Sequence, residues 1–262
     1  MSKSRDRVKT LLREPFAFAQ YASGLRLRAY QTGVMEAVFD SVLNERGYSF
    51  VVIFPRQSGK NELQAHLEVY LLALFYENNV ELIKSAPTLE PQAKISMRRF
   101  EKVSKRNLLV KGLWKKEGNN CYTVGKARIT FLSASPNSNI VGATASGLLE
   151  VDEAQEISIQ KFDKELSPMS ASTNATRVFW GTTWTSKTLL AREMRAALEE
   201  EKRDGVRRVF RLTAEEVYAE VPSYRKHVEE MVARQGRTHP SIRTQYFRSE
   251  EHTSELQSRF GI

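Results

Sequence analysis

Two short stretches carry residue types that could handle phosphate: FPRQSGKNE, Phe54 to Glu62, and GLLEVDEAQEIS, Gly147 to Ser158. A phosphate-binding loop needs a strand, a glycine-bearing turn whose backbone N–H groups surround an anion, a lysine for the terminal phosphates, and a helix N-terminus facing the charge. Gly59 and Lys60 supply the turn and the cation. They follow the β-branched and aromatic run SFVVIF and precede Leu63, Leu67, Tyr70, Leu71 and Leu74 at helical spacing. The match to G-x-x-x-x-G-K-[ST] is incomplete at two places, since Phe54 stands at the first glycine and Asn61 at the hydroxyl residue that would contact Mg2+. An Asn side-chain oxygen can contact Mg2+ directly or through water, so the change weakens the pattern without abolishing its chemistry. Taken alone, GKN after a strand is equally an ordinary strand-to-helix turn.

The second stretch places Asp152 and Glu153 at the end of an apolar run. There Asp152 can hold Mg2+ and Glu153 can polarise a water for attack on a γ-phosphate. Adjacent carboxylates repel unless a cation sits beside them. Acidic residues favoured at a helix N-terminus are the plainer reading of the same pair. A third piece, RVFWGTTWT, ends a buried run with Thr182 and Thr183. Such hydroxyls can sense a γ-phosphate and relay its loss, or can simply close a turn.

The elements that must position these residues can be read from periodicity. A helix is predicted over Leu25 to Gly47 and another over Asn61 to Phe75. Strands are predicted at Ser49 to Phe54, Val80 to Ser85, Arg128 to Leu132, Gly147 to Val151 and Arg177 to Trp180. Strands alternating with helices argue for an α/β fold with a mainly parallel central sheet and ligands at the carboxyl ends of its strands. Residues 1–24 read as a charged helical extension broken at Pro15, and residues 206–247 as a small subdomain or linker.

Composition narrows the classes. The 262 residues suffice for one large α/β domain with an appendage. No run of about 18 uncharged apolar residues is present to span a bilayer, and the basic start MSKSRDRVKTLLREP lacks the apolar core of a secretory signal. Cys121 is the single cysteine, and His66, His227, His239 and His252 do not fall at ligand spacing with it, so no disulfide or structural metal is expected. A net charge of +9 favours an anionic partner, nucleic acid first, although surface solubility alone produces such totals. Arg98, Arg99, Lys102, Lys105 and Arg106 form a cluster that either faces DNA or is a solvated helix face.

The ordered set of Tyr30-Gln31, PRQSGKNE, SAPTLEPQA, LLEVDEAQEI and GTTW resembles the ATPase domain of tailed-bacteriophage terminase large subunits, over roughly Leu25 to Tyr246. The resemblance implies a P-loop NTPase of the additional-strand, RecA-like kind, with residues 25–205 as the ATPase domain and 206–247 as a linker subdomain. It also implies ATP and Mg2+, with Arg56, Gln57, Ser58, Gly59, Lys60 and Asn61 around the phosphates and Gln31 reading the adenine. Asp152 and Asn61 would hold Mg2+, Glu153 would activate water, and Gly181, Thr182 and Thr183 would form the coupling motif. Arg56 would contact the γ-phosphate in cis, unless a neighbouring subunit supplies that arginine. The family's partners are double-stranded DNA, a portal protein, the terminase small subunit and further copies in a homo-oligomeric ring, with no membrane. Its place is the host bacterial cytoplasm during phage assembly, and it is absent from the mature virion. The family's nuclease domain is not expected here, because RSEEHTSELQSRFGI reads as a disordered or artefactual tail over residues 248–262. Two other readings stay open: a catalytically silent DNA-binding module, and another helicase-like P-loop ATPase.

Overall fold

The computed structural model describes residues 11–138, 140, 142–182, 186–239, 242, 246 and 247. The expected tail and the first ten residues of the expected extension lie outside these. Eight strands form one sheet among the described residues: β1 (Ser49–Ile53), β2 (Glu81–Ala86), β3 (Trp114–Glu117), β4 (Cys121–Val124), β5 (Ala127–Ser133), β6 (Leu148–Val151), β7 (Thr176–Gly181) and β8 (Val209–Arg211). Their spatial order is β3-β4-β5-β2-β6-β7-β1-β8. From β5 to β8 every neighbouring pair is parallel, and the β3–β4 and β4–β5 pairs are antiparallel.

The central strands are apolar almost without interruption because both faces are covered. Phe50 and Val52 of β1 belong to one core with α1 (Ala29–Leu43), α2 (Lys60–Leu74) and α3 (Lys94–Arg106), while Val51 between them joins a second core on the opposite face. That second core holds Leu149, Val151 and Phe179 against Leu189 and Ala197 of α4 (Leu189–Asp204). Two shorter helices, α5 (Ala214–Glu220) and α6 (Pro222–Gln235), return to the first core through Val217, Tyr224 and Val228. No helix among the described residues is long and apolar enough to cross a membrane.

The five predicted strands are all present, and the parallel sheet is as expected for its centre. Three strands were not predicted. The β3 sequence WKKE is an exposed edge with no apolar alternation, β4 is a four-residue partner to it, and β8 is three residues set among arginines. The helix predicted from Leu25 is shorter at both ends, because Arg28 is extended (ψ 154°) and the chain leaves the helix after Leu43. The break at Pro15 falls just before it: Glu14 is extended, and Pro15 starts a new helical turn, where its missing N–H is harmless.

The sheet also buries ions. Lys84 of β2 meets Glu68 of α2 at 2.6 Å, and the Trp180 indole N–H donates to Glu150 of β6 at 2.8 Å. All four side chains are buried on the α2 face. Burial pushes the Glu150 carboxyl well above the usual range, with Lys84 opposing and Glu68 and Asp152 adding to the rise. Removing the cation leaves Glu68 without its counter-charge in the interior, and breaking a buried pair in this way costs about 3–5 kcal/mol. Lys84→Met is therefore expected to lower the unfolding free energy by that amount, seen as a lower urea midpoint at an unchanged m-value, whereas Lys84→Met combined with Glu68→Met should recover most of it. A loss under about 1 kcal/mol in the single variant would contradict this account of the core.

Candidate functional site

The carboxyl end of β1 leads through Phe54, Pro55, Arg56, Gln57, Ser58 and Gly59 into Lys60, the first residue of α2. Gly59 adopts φ 94°, and a Cβ there would stand 2.9 Å from Gln31 Nε2, so both conformation and space call for glycine. The beginning of α1 braces this turn. Tyr30 Oη donates to the Ser58 carbonyl at 2.6 Å, Arg28 Nη1 to the same oxygen at 3.0 Å, and Gln31 Nε2 to the Gly59 carbonyl at 3.1 Å. Gln31 Oε1 in turn accepts from the Arg28 backbone N–H at 2.9 Å. The amide expected to read adenine is thus buried, with both ends hydrogen-bonded inside the protein and its NH2 group on the loop carbonyl. Arg56 and Gln57 are exposed on the loop, and Asn61 is half-buried in the first turn of α2.

Across from the loop, β6 ends in Asp152 and Glu153. Strand β7 lies between β1 and β6, so at about 4.8 Å per strand the two carboxyl ends are roughly 10 Å apart. Lys60 spans that gap. Its Nζ lies 2.5 Å from Glu153 Oε1 and 3.4 Å from Asp152 Oδ1, supplying the cation that two adjacent carboxylates require. Burial would pull the Lys60 ammonium down, and Asp152 and Glu153 outweigh it, so it holds its proton more tightly than an ordinary lysine. Burial would likewise raise Asp152, and Lys60, Lys84 and the Gln64 hydrogen bond instead bring it below the ordinary aspartate value.

The turn after β6 is held firmly. Asp152 N–H donates to the Ser85 carbonyl at 2.8 Å, Ala154 N–H to the Trp180 carbonyl at 2.9 Å, and Gln64 Nε2 to Asp152 Oδ1 at 3.0 Å. Glu153 sits at φ 46°, which an L-residue adopts only when its surroundings impose it. Gln155 donates from Nε2 to Glu153 Oε2 at 2.6 Å and accepts at Oε1 from the Thr182 N–H at 3.3 Å. Gly181 and Thr182, at the end of β7, are thereby beside the acidic pair, and Thr183 lies outside the described residues.

The structure brings together Lys60, Asp152, Glu153, Gly181 and Thr182. Periodicity and motif reading missed Arg28, Gln64 and Gln155. Gln64 carried a signal, since it lies one helical turn after Lys60 on the same face.

No cluster of three His, Cys, Asp or Glu able to cage a metal exists among the described residues. Mg2+ does not need one: it retains waters and is held by one or two carboxylates together with substrate phosphates. The donors here fit that chemistry, because Gln64, which donates to Asp152 Oδ1, keeps a buried Oε1 without a hydrogen-bond partner. Asp152, with the Asn61 side-chain oxygen, would hold the ion, which when bound neutralises phosphate charge.

The sequence matches no protein-family model and no curated protein. Its structure matches solved ones. The large terminase ATPase domain of Thermus phage P74-26 aligns with a TM-score of 0.63 at 17% identity, over 87% of this chain and 95% of that one. The large terminase of bacteriophage HK97 gives 0.60 at 17% identity, over 95% of this chain and 51% of that one. The large terminase of the thermophilic bacteriophage D6E in complex with ADP gives 0.59 at 11% identity, over 78% and 50%. The chain therefore has the fold of phage large-terminase ATPase domains and spans about half the length of the HK97 and D6E proteins.

If Lys60 is the internal counter-ion of the acidic pair, its loss destabilises the protein with no ligand present. Lys60→Met is expected to lower stability in metal-free buffer by about 2–3 kcal/mol. Millimolar MgCl2 should then raise the thermal midpoint of the variant more than that of the parent, and equal responses would refute the assignment.

Proposed function

We propose that the chain is a Mg2+-dependent ATPase, the motor domain of a terminase large subunit that uses hydrolysis to translocate double-stranded DNA into a procapsid. The observation that carries the reading is Lys60 reaching over an inserted strand to Asp152 and Glu153, on a fold shared with terminase ATPase domains. ATP would place its β- and γ-phosphates at the Gly59 turn and the α2 N-terminus, surrounded by residues 56–61. Lys60 then exchanges Glu153 for phosphate oxygens. That frees the Glu153 carboxylate to take a proton from water as the water oxygen attacks the γ-phosphorus and the bond to the β-bridging oxygen breaks, giving ADP and phosphate. Arg56, exposed on the loop, would meet the γ-phosphate, and Gly181, Thr182 and Thr183 would report its departure to β7.

In this reading residues 25–205 are the motor and 206–247 a linker subdomain. The partners are DNA, a portal protein, the small subunit and further copies in a ring, in the bacterial cytoplasm during phage assembly. For DNA, α3 offers the surface. Arg98, Lys102 and Arg106 are exposed on it, and among the described residues no ion pair or hydrogen bond engages them. Arg99 and Lys105 are instead paired with Glu62 and Glu101.

Steady-state hydrolysis of ATP with Mg2+ tests the enzyme. Lys60→Ala should abolish turnover and Glu153→Gln should reduce it at least about a hundredfold. A parent rate no higher than that of Glu153→Gln would end the ATPase reading. For DNA, reversing Arg98, Lys102 and Arg106 to glutamate should flatten the log K against log salt slope by about 0.9 per lost phosphate contact, and an unchanged slope would remove α3 from the interface.

A further inference from the structure

Glu153 has two carboxylate oxygens, and each has one protein partner: Oε1 meets Lys60, and Oε2 meets the Gln155 amide. If the ATPase reading holds, Lys60 leaves Glu153 when phosphate arrives. Gln155 is then what remains, among the described contacts, to keep the carboxylate aimed.

The geometry suits Gln155 to more than filling space. Its side chain is buried, 7% exposed, and each end has a partner of the right polarity: a carboxylate for the NH2 group, a backbone N–H for the carbonyl. Turning the amide over would set oxygen against carboxylate and NH2 against N–H, so one orientation is fixed electrostatically. The backbone N–H it grips belongs to Thr182, and the space it occupies exists because residue 181 is glycine. A Cβ on Gly181 would stand 2.2 Å from Gln155 Oε1. A residue two places after the base is thereby tied to the end of a different strand, β7. The anchoring of the intervening residue, Ala154, by the Trp180 carbonyl draws the same turn onto the same strand.

We propose that Gln155 is a positioning residue: it orients the Glu153 carboxylate and links it to the Gly181-Thr182 turn, so that displacement of the β7 end moves the base. The proposal rests on the ATPase reading and adds to it the route by which base and coupling turn communicate.

The test is steady-state kinetics of Gln155→Ala and Gln155→Glu beside the parent and Lys60→Ala, with thermal midpoints for each. Gln155→Glu has nearly the same shape but cannot donate to Glu153 when ionised. Both variants are expected to lose at least about tenfold in kcat with KM for ATP within about twofold, because misaiming a base affects the transition state and not ground-state binding. The midpoint stays near the parent's in Gln155→Ala and falls in Gln155→Glu, which adds a third carboxylate beside Asp152 and Glu153. Parent-like kcat in Gln155→Glu would reduce Gln155 to a space-filler and overturn the proposal. The tie to β7 is tested by Gly181→Ala, expected to lower kcat to a similar degree, with the Gln155→Ala/Gly181→Ala double variant no worse than either single one. Losses that multiply in the double variant would show independent sites and overturn the link. A parent that hydrolyses no faster than Lys60→Ala would instead bring down the ATPase reading, and this proposal with it.

Discussion

The arrangement depends on one electrostatic constraint: two adjacent carboxylates at the end of β6 have to be compensated in a largely buried place. Lys60 meets it from the far side of β7, and that requirement fixes much else. The lysine has to start α2, so that its side chain leaves the helix toward the sheet. The loop before it has to be tight, which Gly59 allows at φ 94°. The acidic turn has to be rigid, which the bonds from Asp152 and Ala154 to neighbouring strands supply. Beneath it, Lys84 and Glu68 repeat the solution one step deeper on the same face of the sheet. The α2 face therefore carries a column of alternating charges from the core to the site.

A second set of contacts joins the loop to the end of the chain. Arg28, Tyr30 and Gln31 hold the Ser58 and Gly59 carbonyls, and the next backbone N–H in α1, that of Ala29, donates to Glu220 at the end of α5 at 3.1 Å. One residue of the proposed linker subdomain is thus in contact with the segment that braces the loop. In a motor, the linker must respond to the state of the nucleotide, and this is a physical connection through which it can do so. It adds a directional hydrogen bond to the apolar contact that Val217, Tyr224 and Val228 make with the first core.

How much of this was legible in the sequence depended on whether a signal was local. SFVVIF and the Leu63, Leu67, Leu71, Leu74 spacing mark β1 and α2, because a short β-branched run and a repeat at helical spacing are different local patterns, although α2 is buried on all sides from Leu63 to Leu72. The Lys60, Asp152 and Glu153 constellation was also readable, since a strand end followed by charge is a local pattern. The edge strand WKKE was not: it is charged, mostly exposed and held in the sheet by β4, whose Tyr122 and Val124 are buried. Nor were the partners of the amides. Gln31 and Gln155 are polar residues of ordinary type, and what each does is set by a group 28 or 27 residues away that only the folded sheet brings near. Motif reading assigned Gln31 to a base and left Gln155 out; the structure adds that Gln31 bonds the Gly59 carbonyl and that Gln155 bonds both Glu153 and the Thr182 N–H.

The same charge balance constrains what can bind. If Lys60 turns to phosphate, Asp152 and Glu153 lose their compensating cation just as a polyanion arrives beside them. With Lys84 already committed to Glu68, no further described lysine or arginine contacts the pair. Nucleotide binding is then favourable only if the ligand carries its own cation to Asp152, because an uncompensated buried carboxylate costs several kcal/mol. A divalent ion would in this sense replace Lys60, beside the buried, unpartnered Oε1 of Gln64. Glu153 receives no such replacement. In the proposed ATPase, Glu153 would keep Gln155 as its partner among the described residues and have one oxygen free to accept a proton from water, which is the condition a general base has to meet.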